Sequence, residues 1–293
     1  MVATLAAAGV LTAVVAGHRH EFSAALQAAP LWLLGVAIVL QVVALVARSE
    51  AWHVCVRAAG GTVARRRLYR AASVGYLGSQ LNSQLGVAAR IAALRRSAPA
   101  RCPRVPALIA AEMPILAVEA ALAALTSYTL VGPLGLPWWL PLAALAVVVL
   151  GLAGLRALAR GHRRGVWSGL AVLRTARGRG VVVVLVLVAV LAQIARNWLL
   201  LHAVGVDASL FDAIAVLIAM VTISQLPVGP TVGAGAVVAI LGTNGVAVAA
   251  AAGVMLTATG TAGALVYVAW AAVDRLRVAR SQLGVPDAVA LSV

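Results

Sequence analysis

Two acids and one arginine stand inside otherwise apolar sequence. Glu112 and Glu119 are seven residues apart, so on a helix they share one face. Gln193, Arg196 and Asn197 follow i, i+3, i+4 spacing and share another. Ionisable groups within a bilayer are costly, and they face a cavity or a partner. At about 1.5 Å of rise per residue, Glu119 and Arg196 each lie roughly 20 Å from the inner ends of their segments. They are expected to face one polar interior and to pair. The alternative is an ion pair that only holds helices together. A third stripe is Asn82, Gly86 and Arg90, which recur every four residues. An arginine at the end of such a stripe can bind a phosphate bidentately, or it can be a plain topological anchor.

No catalytic constellation accompanies these residues. There is no Ser–His–Asp arrangement, no metal-ligand spacing and no GxxxxGK[ST] phosphate loop. His53, His162 and His202 are isolated and suit interface or packing roles. The chain is expected not to be an enzyme and to need no cofactor.

The elements that must position these residues follow from composition. Of the 293 residues, 63% are hydrophobic and 11% charged. Mean hydropathy is +1.03. A soluble domain of this length cannot hide so much apolar surface. Several nearly charge-free stretches are long enough to cross a hydrocarbon core, which takes about 20 helical residues. Backbone groups in lipid must be satisfied internally, and the stretches are too long for barrel strands. The expectation is an all-α polytopic membrane protein with one transmembrane domain over 1–280 and a short tail over 281–293.

All 23 basic residues are arginine, against eight acids. Twenty-one of them fall into four patches: 48–70, 90–104, 156–179 and 275–280. Basic residues interleaved with apolar spans mark topology rather than nucleic-acid binding. The rule places all four patches in the cytoplasm of a bacterial cell, with both termini inside and the protein in the plasma (inner) membrane. Cys55 and Cys102 lie near these patches and read as reduced, structural thiols. Six full spans result: 2–17, 31–47, 106–131, 138–157, 181–203 and 246–273. The first lacks a basic leader and a cleavage pattern, so it reads as a retained helix.

Two segments do not fit simple spans. Residues 71–89 lie between two basic patches, so they must enter and return, or lie flat. They contain Gly75, Gly78, Gln80, Asn82, Gln84 and Gly86, too polar and broken for a lipid-facing helix. Residues 211–245 hold Gln225 and are interrupted by Pro227 and Pro230. Irregular backbone at membrane depth is tolerated only where protein or water covers it. The expectation is two re-entrant hairpins broken by Gly and Pro, entering from opposite sides in an inverted repeat around a central site. Ordinary helical hairpins with Gly at close contacts are the alternative.

This order of features resembles the lysylphosphatidylglycerol synthase transmembrane-region family, whose flippase-like domains also occur alone. The resemblance runs from Leu31 to about Arg277. It is carried by RSEAWHVCVRAAGG, RRRLYRAASVGYLGSQLNSQLGVAARIAALRR, ALIAAEMPILAVEAAL and HAVGVDASLFDAIAVLIAMVTISQLPVGPTVGAG. Gly86 and Arg90 match the family's first-hairpin pattern, while Asn82 replaces its Pro and Val87 its Glu. In the second hairpin Pro227 and Pro230 match, Thr231 and Val232 replace a glycine pair, and no Glu follows. Glu112 matches, with Met113 in place of the usual neighbouring Arg.

The resemblance implies transbilayer movement of a lipid, such as an aminoacylated phospholipid or a polyprenyl-linked sugar. The residue pattern agrees in kind, because a polar interior with an arginine suits an anionic head group. The expected groove is lined by Arg90, Glu119, Arg196 and Gln225. An accessory or scaffold subunit for a lipid- or glycan-modifying enzyme is the second reading, and the missing hairpin acids suit it. A carrier for a soluble solute is a third. Partner classes are a lipid with an anionic head group, a membrane enzyme, or a second copy of the chain; nucleic acid is not expected.

Overall fold

The computed structural model describes residues 20, 24, 27, 29–79, 83–161, 165–223, 232–241 and 246–283. Most described residues are helical, with no strand among them. The chain is an all-α polytopic membrane protein. Five described segments are long and apolar enough to span a bilayer: Leu31–Ala58, Val105–Leu134, Leu140–Gly161, Ala176–Ala203 and Val246–Val278. They correspond to five of the six expected spans; the expected span 2–17 lies outside the described residues.

Helix α1, Leu31–Ala58, starts after Pro30, which is in an extended conformation. It ends before Gly60, whose φ of 92° favours glycine. The expected boundary at Ala47 is too early by three turns. The first charged residue does not stop the helix, because Arg48 and Glu50 both find oppositely charged partners on other elements.

The first broken segment is a helical hairpin. Helix α2, Arg65–Ser79, and helix α3, Ser83–Ser97, pack antiparallel. Their far ends meet where Arg67 donates to the Ser97 carbonyl at 3.3 Å. The two arms bring both basic flanks to the same end of the hairpin, as expected of a segment that turns back. Close approach explains its glycines. A Cβ on Gly86 would lie 2.8 Å from the Gly75 carbonyl oxygen, and one on Gly75 would lie 2.9 Å from that of Gly86.

Helix α4, Val105–Ala110, and helix α5, Met113–Thr126, form one span broken at Ala111–Glu112. Pro114 has no N–H to return to the first piece, which accounts for the break. A 3-10 turn and the short helix α6, Val131–Leu134, complete the crossing. Helix α7, Leu140–Gly161, returns along the outside of the bundle, with Val147 and Leu150 about 70% exposed to lipid. A 3-10 run over Gly165–Arg174 then packs on α4 and α7. That run was expected only as part of a basic patch; its Leu170 and Val172 are buried.

Helix α8, Ala176–Ala203, makes the most extensive contact in the protein, against α1. Ala44 and Ala47 of α1 meet Ala189 and Ala192 of α8 in a small cluster. Small side chains let two backbones approach closely where no hydrophobic drive exists between helices in lipid.

Helix α9, Leu210–Ile223, opens with a capping box. Ser209 and Asp212 satisfy each other's backbone N–H at 2.8 and 3.2 Å. Helix α9 packs on α10, Val232–Leu241, which packs on the final helix α11, Val246–Leu283. At about 21 and 15 Å, α9 and α10 are each short for a full crossing. The residues joining them, 224–231, lie outside the described part, and so do Gln225, Pro227 and Pro230. Asn82, between α2 and α3 in the chain, does too.

Candidate functional site

Helices α1, α2, α3, α5, α8 and α11 surround a chain of buried and half-buried polar side chains. Its first centre is Arg90 on α3 against Glu112 at the break between α4 and α5. Arg90 Nη2 and Glu112 Oε1 are 2.5 Å apart, and both side chains are about 7% exposed. The guanidinium also stacks over the buried Trp52 ring of α1, 4.3 Å from its centroid. Arg90 Nε finds no acceptor among the described residues. The break at Glu112 turns a carboxylate into the bundle without adding a helix. The hairpin then brings an arginine to it.

A second centre lies beside it. Arg48 on α1 donates to Glu119 on α5 at 3.0 Å. Ser49 donates to the Leu45 carbonyl at 2.8 Å, and Tyr76 of α2 reaches the same carbonyl at 3.1 Å. Tyr267 of α11 donates to Ser49 Oγ at 3.1 Å. Three spans and the hairpin therefore meet at one turn of α1.

The third centre lies two turns along α1. Arg196 on α8 is 5% exposed. It donates to Gln41 Oε1 on α1, and to Asn197 Oδ1 at 3.2 Å. No carboxylate meets it among the described residues. Its Nε and the Asn197 Nδ2 have no acceptor there either. Gly260 and Gly263 of α11 make the space. A Cβ on Gly260 would stand 3.3 Å from Arg196 Nη1, and one on Gly263 would strike the Gln41 side chain at 2.5 Å.

The expected pairing of Glu119 with Arg196 is therefore corrected. Gln41 and Arg48 are seven residues apart on α1, so the two centres are separated by about 10 Å. Counting from each inner end assumed that both helices start at one level. The third span instead begins with a separate short helix, and Arg48, taken as an anchor, reaches Glu119 first.

Helix α11 links these centres. Gly260, Gly263, Tyr267, Trp270, Asp274 and Arg277 recur at alternating steps of three and four, a single stripe. The stripe passes from Arg196 and Gln41, by Ser49, to the arginine-rich end of the bundle. There Tyr267 and Trp270 stack, with centroids 5.7 Å apart. Asp274 holds α2 by accepting from Arg70 Nε at 2.7 Å. On the other side of α2, Glu50 of α1 accepts from Tyr69 and, at 2.8 Å, from Arg65. Burial, then the Glu50 contact, pushes the Tyr69 hydroxyl up to about 12. The two carboxylates clamp the start of the hairpin from both sides.

Of the expected site residues, Arg90, Glu112, Glu119, Arg196 and Asn197 all belong to these centres. Gln193 is half-buried one turn from Arg196, and Gln84 is exposed at the start of α3. Gln41, Trp52, Tyr76, Tyr267 and Asp274 were missed. The heptad-like stripe on α11 was the signal for the last two.

The model of the lysylphosphatidylglycerol synthase TM region matches residues 1–274. The chain belongs to this family. Membership ties it to membrane-lipid function. No curated protein and no solved structure shows a significant match. Val87 on α3 is half-buried and packs against the main apolar cluster. The carboxylate that meets Arg90 here comes from the third span, through Glu112.

Proposed function

We propose that this family member moves an anionic lipid head group across the bilayer along the polar stripe between α1, α8 and α11. One observation carries the reading. Arg196 is a buried cation whose partners among the described residues are neutral amides. A buried charge is costly unless paired, and Arg90, the other arginine buried among the described residues, has a carboxylate. An anionic phosphate at Arg196 supplies the missing partner. The acyl chains stay in lipid, and no catalytic step is needed. The arginine-rich end faces the cytoplasm of a bacterial cell by the positive-inside rule.

The test is purified protein in proteoliposomes with a fluorescent anionic phospholipid, read by quencher protection. Arg196→Ala is expected to slow movement roughly thirtyfold, about 2 kcal/mol for one lost charge-assisted contact. Arg196→Lys keeps the charge and retains part of the rate. Movement unchanged in Arg196→Ala rejects the site.

The accessory reading draws on Val87, which removes an acid from the hairpin. A scaffold needs no lipid movement, so wild-type protein inert in the same vesicles, yet copurifying with a lipid- or glycan-modifying enzyme, favours it.

A further inference from the structure

The arginine-rich end of the α11 stripe opens into a cleft of about 360 Å³, within the usual range for a small ligand. Arg66 from α2 and Trp270, Asp274, Arg277 and Val278 from α11 line it. The α11 residues follow i, i+4, i+7 and i+8 spacing, so one helix face builds one wall.

Its charges are unbalanced. Asp274 is taken by Arg70, which meets it at 2.5 Å and also donates to its backbone carbonyl at 3.3 Å. Arg66 reaches the same carboxylate only at 3.8 Å, with its side chain 77% exposed. Arg277 makes no ion pair among the described residues. Two guanidiniums thus face a cleft whose only lining acid is already satisfied. Beside them stands the partly exposed face of Trp270.

We propose that this cleft is a docking site for a phosphate-bearing anion, with Arg66 and Arg277 as its ligands. Two guanidiniums offer planar donor pairs to phosphate oxygens. Trp270 supplies an apolar wall for whatever the phosphate carries. Asp274 does not bind the anion; it holds Arg70 and so fixes α2 against α11. A bound phosphate draws Arg66 from its long contact with Asp274 and leaves the Arg70 clamp in place. The chemistry is shared by a lipid head group in the adjoining leaflet and a soluble phosphate compound. The inference concerns binding and does not depend on transport.

The test uses the full chain in nanodiscs and the variants Arg66→Gln, Arg277→Gln and both together. Neither residue is buried, and thermal melts are expected to match wild type. In phosphatidylcholine nanodiscs, inorganic pyrophosphate is titrated by calorimetry. In phosphatidylglycerol nanodiscs, retained lipid is counted by native mass spectrometry after detergent extraction. Binding in the first arm assigns a soluble phosphate and in the second a lipid head group. In either arm, each single variant is expected to weaken binding about tenfold. No binding in both arms, or equal binding by the double variant, overturns the proposal. Arg196→Ala is expected to bind normally here, so failure of this site and failure of the transport reading are separable.

Discussion

Arg90 and Glu112 lie 2.5 Å apart, one on the returning arm of the hairpin and one at the break in the third span. Both are buried, so each is the condition for the other's presence. The pair locks the middle of the returning arm to the bundle, while Glu50 and Asp274 clamp the start of the hairpin.

Removing one member leaves an uncompensated buried charge. Arg90→Ala or Glu112→Ala is expected to cost about 3–5 kcal/mol, whereas the double variant costs less than the sum. Thermal melts of the four proteins in one lipid decide it; strictly additive losses sink the pair.

The partner of Glu119 is open to the same kind of measurement. A cycle between Glu119→Gln and Arg48→Gln is expected to show coupling of about 0.5–1 kcal/mol, since both side chains are partly exposed. The cycle between Glu119→Gln and Arg196→Gln is expected to show none. Coupling in the second cycle alone would restore the pairing expected from sequence.

The hairpin depends on bare backbone at its crossing point. Gly86→Val places atoms within 2.8 Å of Gly75 and Ser79 and is expected to cost about 1–3 kcal/mol. A Cβ at Gly35 on α1 meets nothing within 4 Å, so Gly35→Val serves as the control. Protease sensitivity between α2 and α3 should rise only in the first variant.

The two thiols should react in a fixed order. Cys55 is fully buried, while Cys102 is half-exposed at the arginine-rich end. Burial pushes the Cys102 thiol up and nearby Arg95 pulls it back only in part. The thiolate is the reactive form, so Cys102 alkylation by a small maleimide should lag a free thiol and speed up as pH rises. Cys55 should label only after unfolding. Labelling of Cys55 first, by mass spectrometry of the digest, contradicts this packing.

Much of the architecture was legible in residues 29–283 because lipid imposes a strict rule. A helix that crosses must be long, apolar and flanked by arginine, and five described spans obey it. The same rule made 71–89 turn back, since both its flanks are basic. Single-helix faces were legible too, and so Glu112, Arg196 and Asn197 were correctly taken as inward. Which face meets which was not. Glu119 finds Arg48 rather than Arg196, because axial offset is decided by packing: alanines between α1 and α8, glycines on α11, and the break at Glu112. The sequence alone determined that a few charged groups must be buried in a helical membrane protein. Only the tertiary structure decided that Arg90 would meet Glu112 and Arg48 would meet Glu119, while the partners of Arg196 among the described residues would be amides. Ion pairing depends on distances between helices, and no spacing along one chain encodes those.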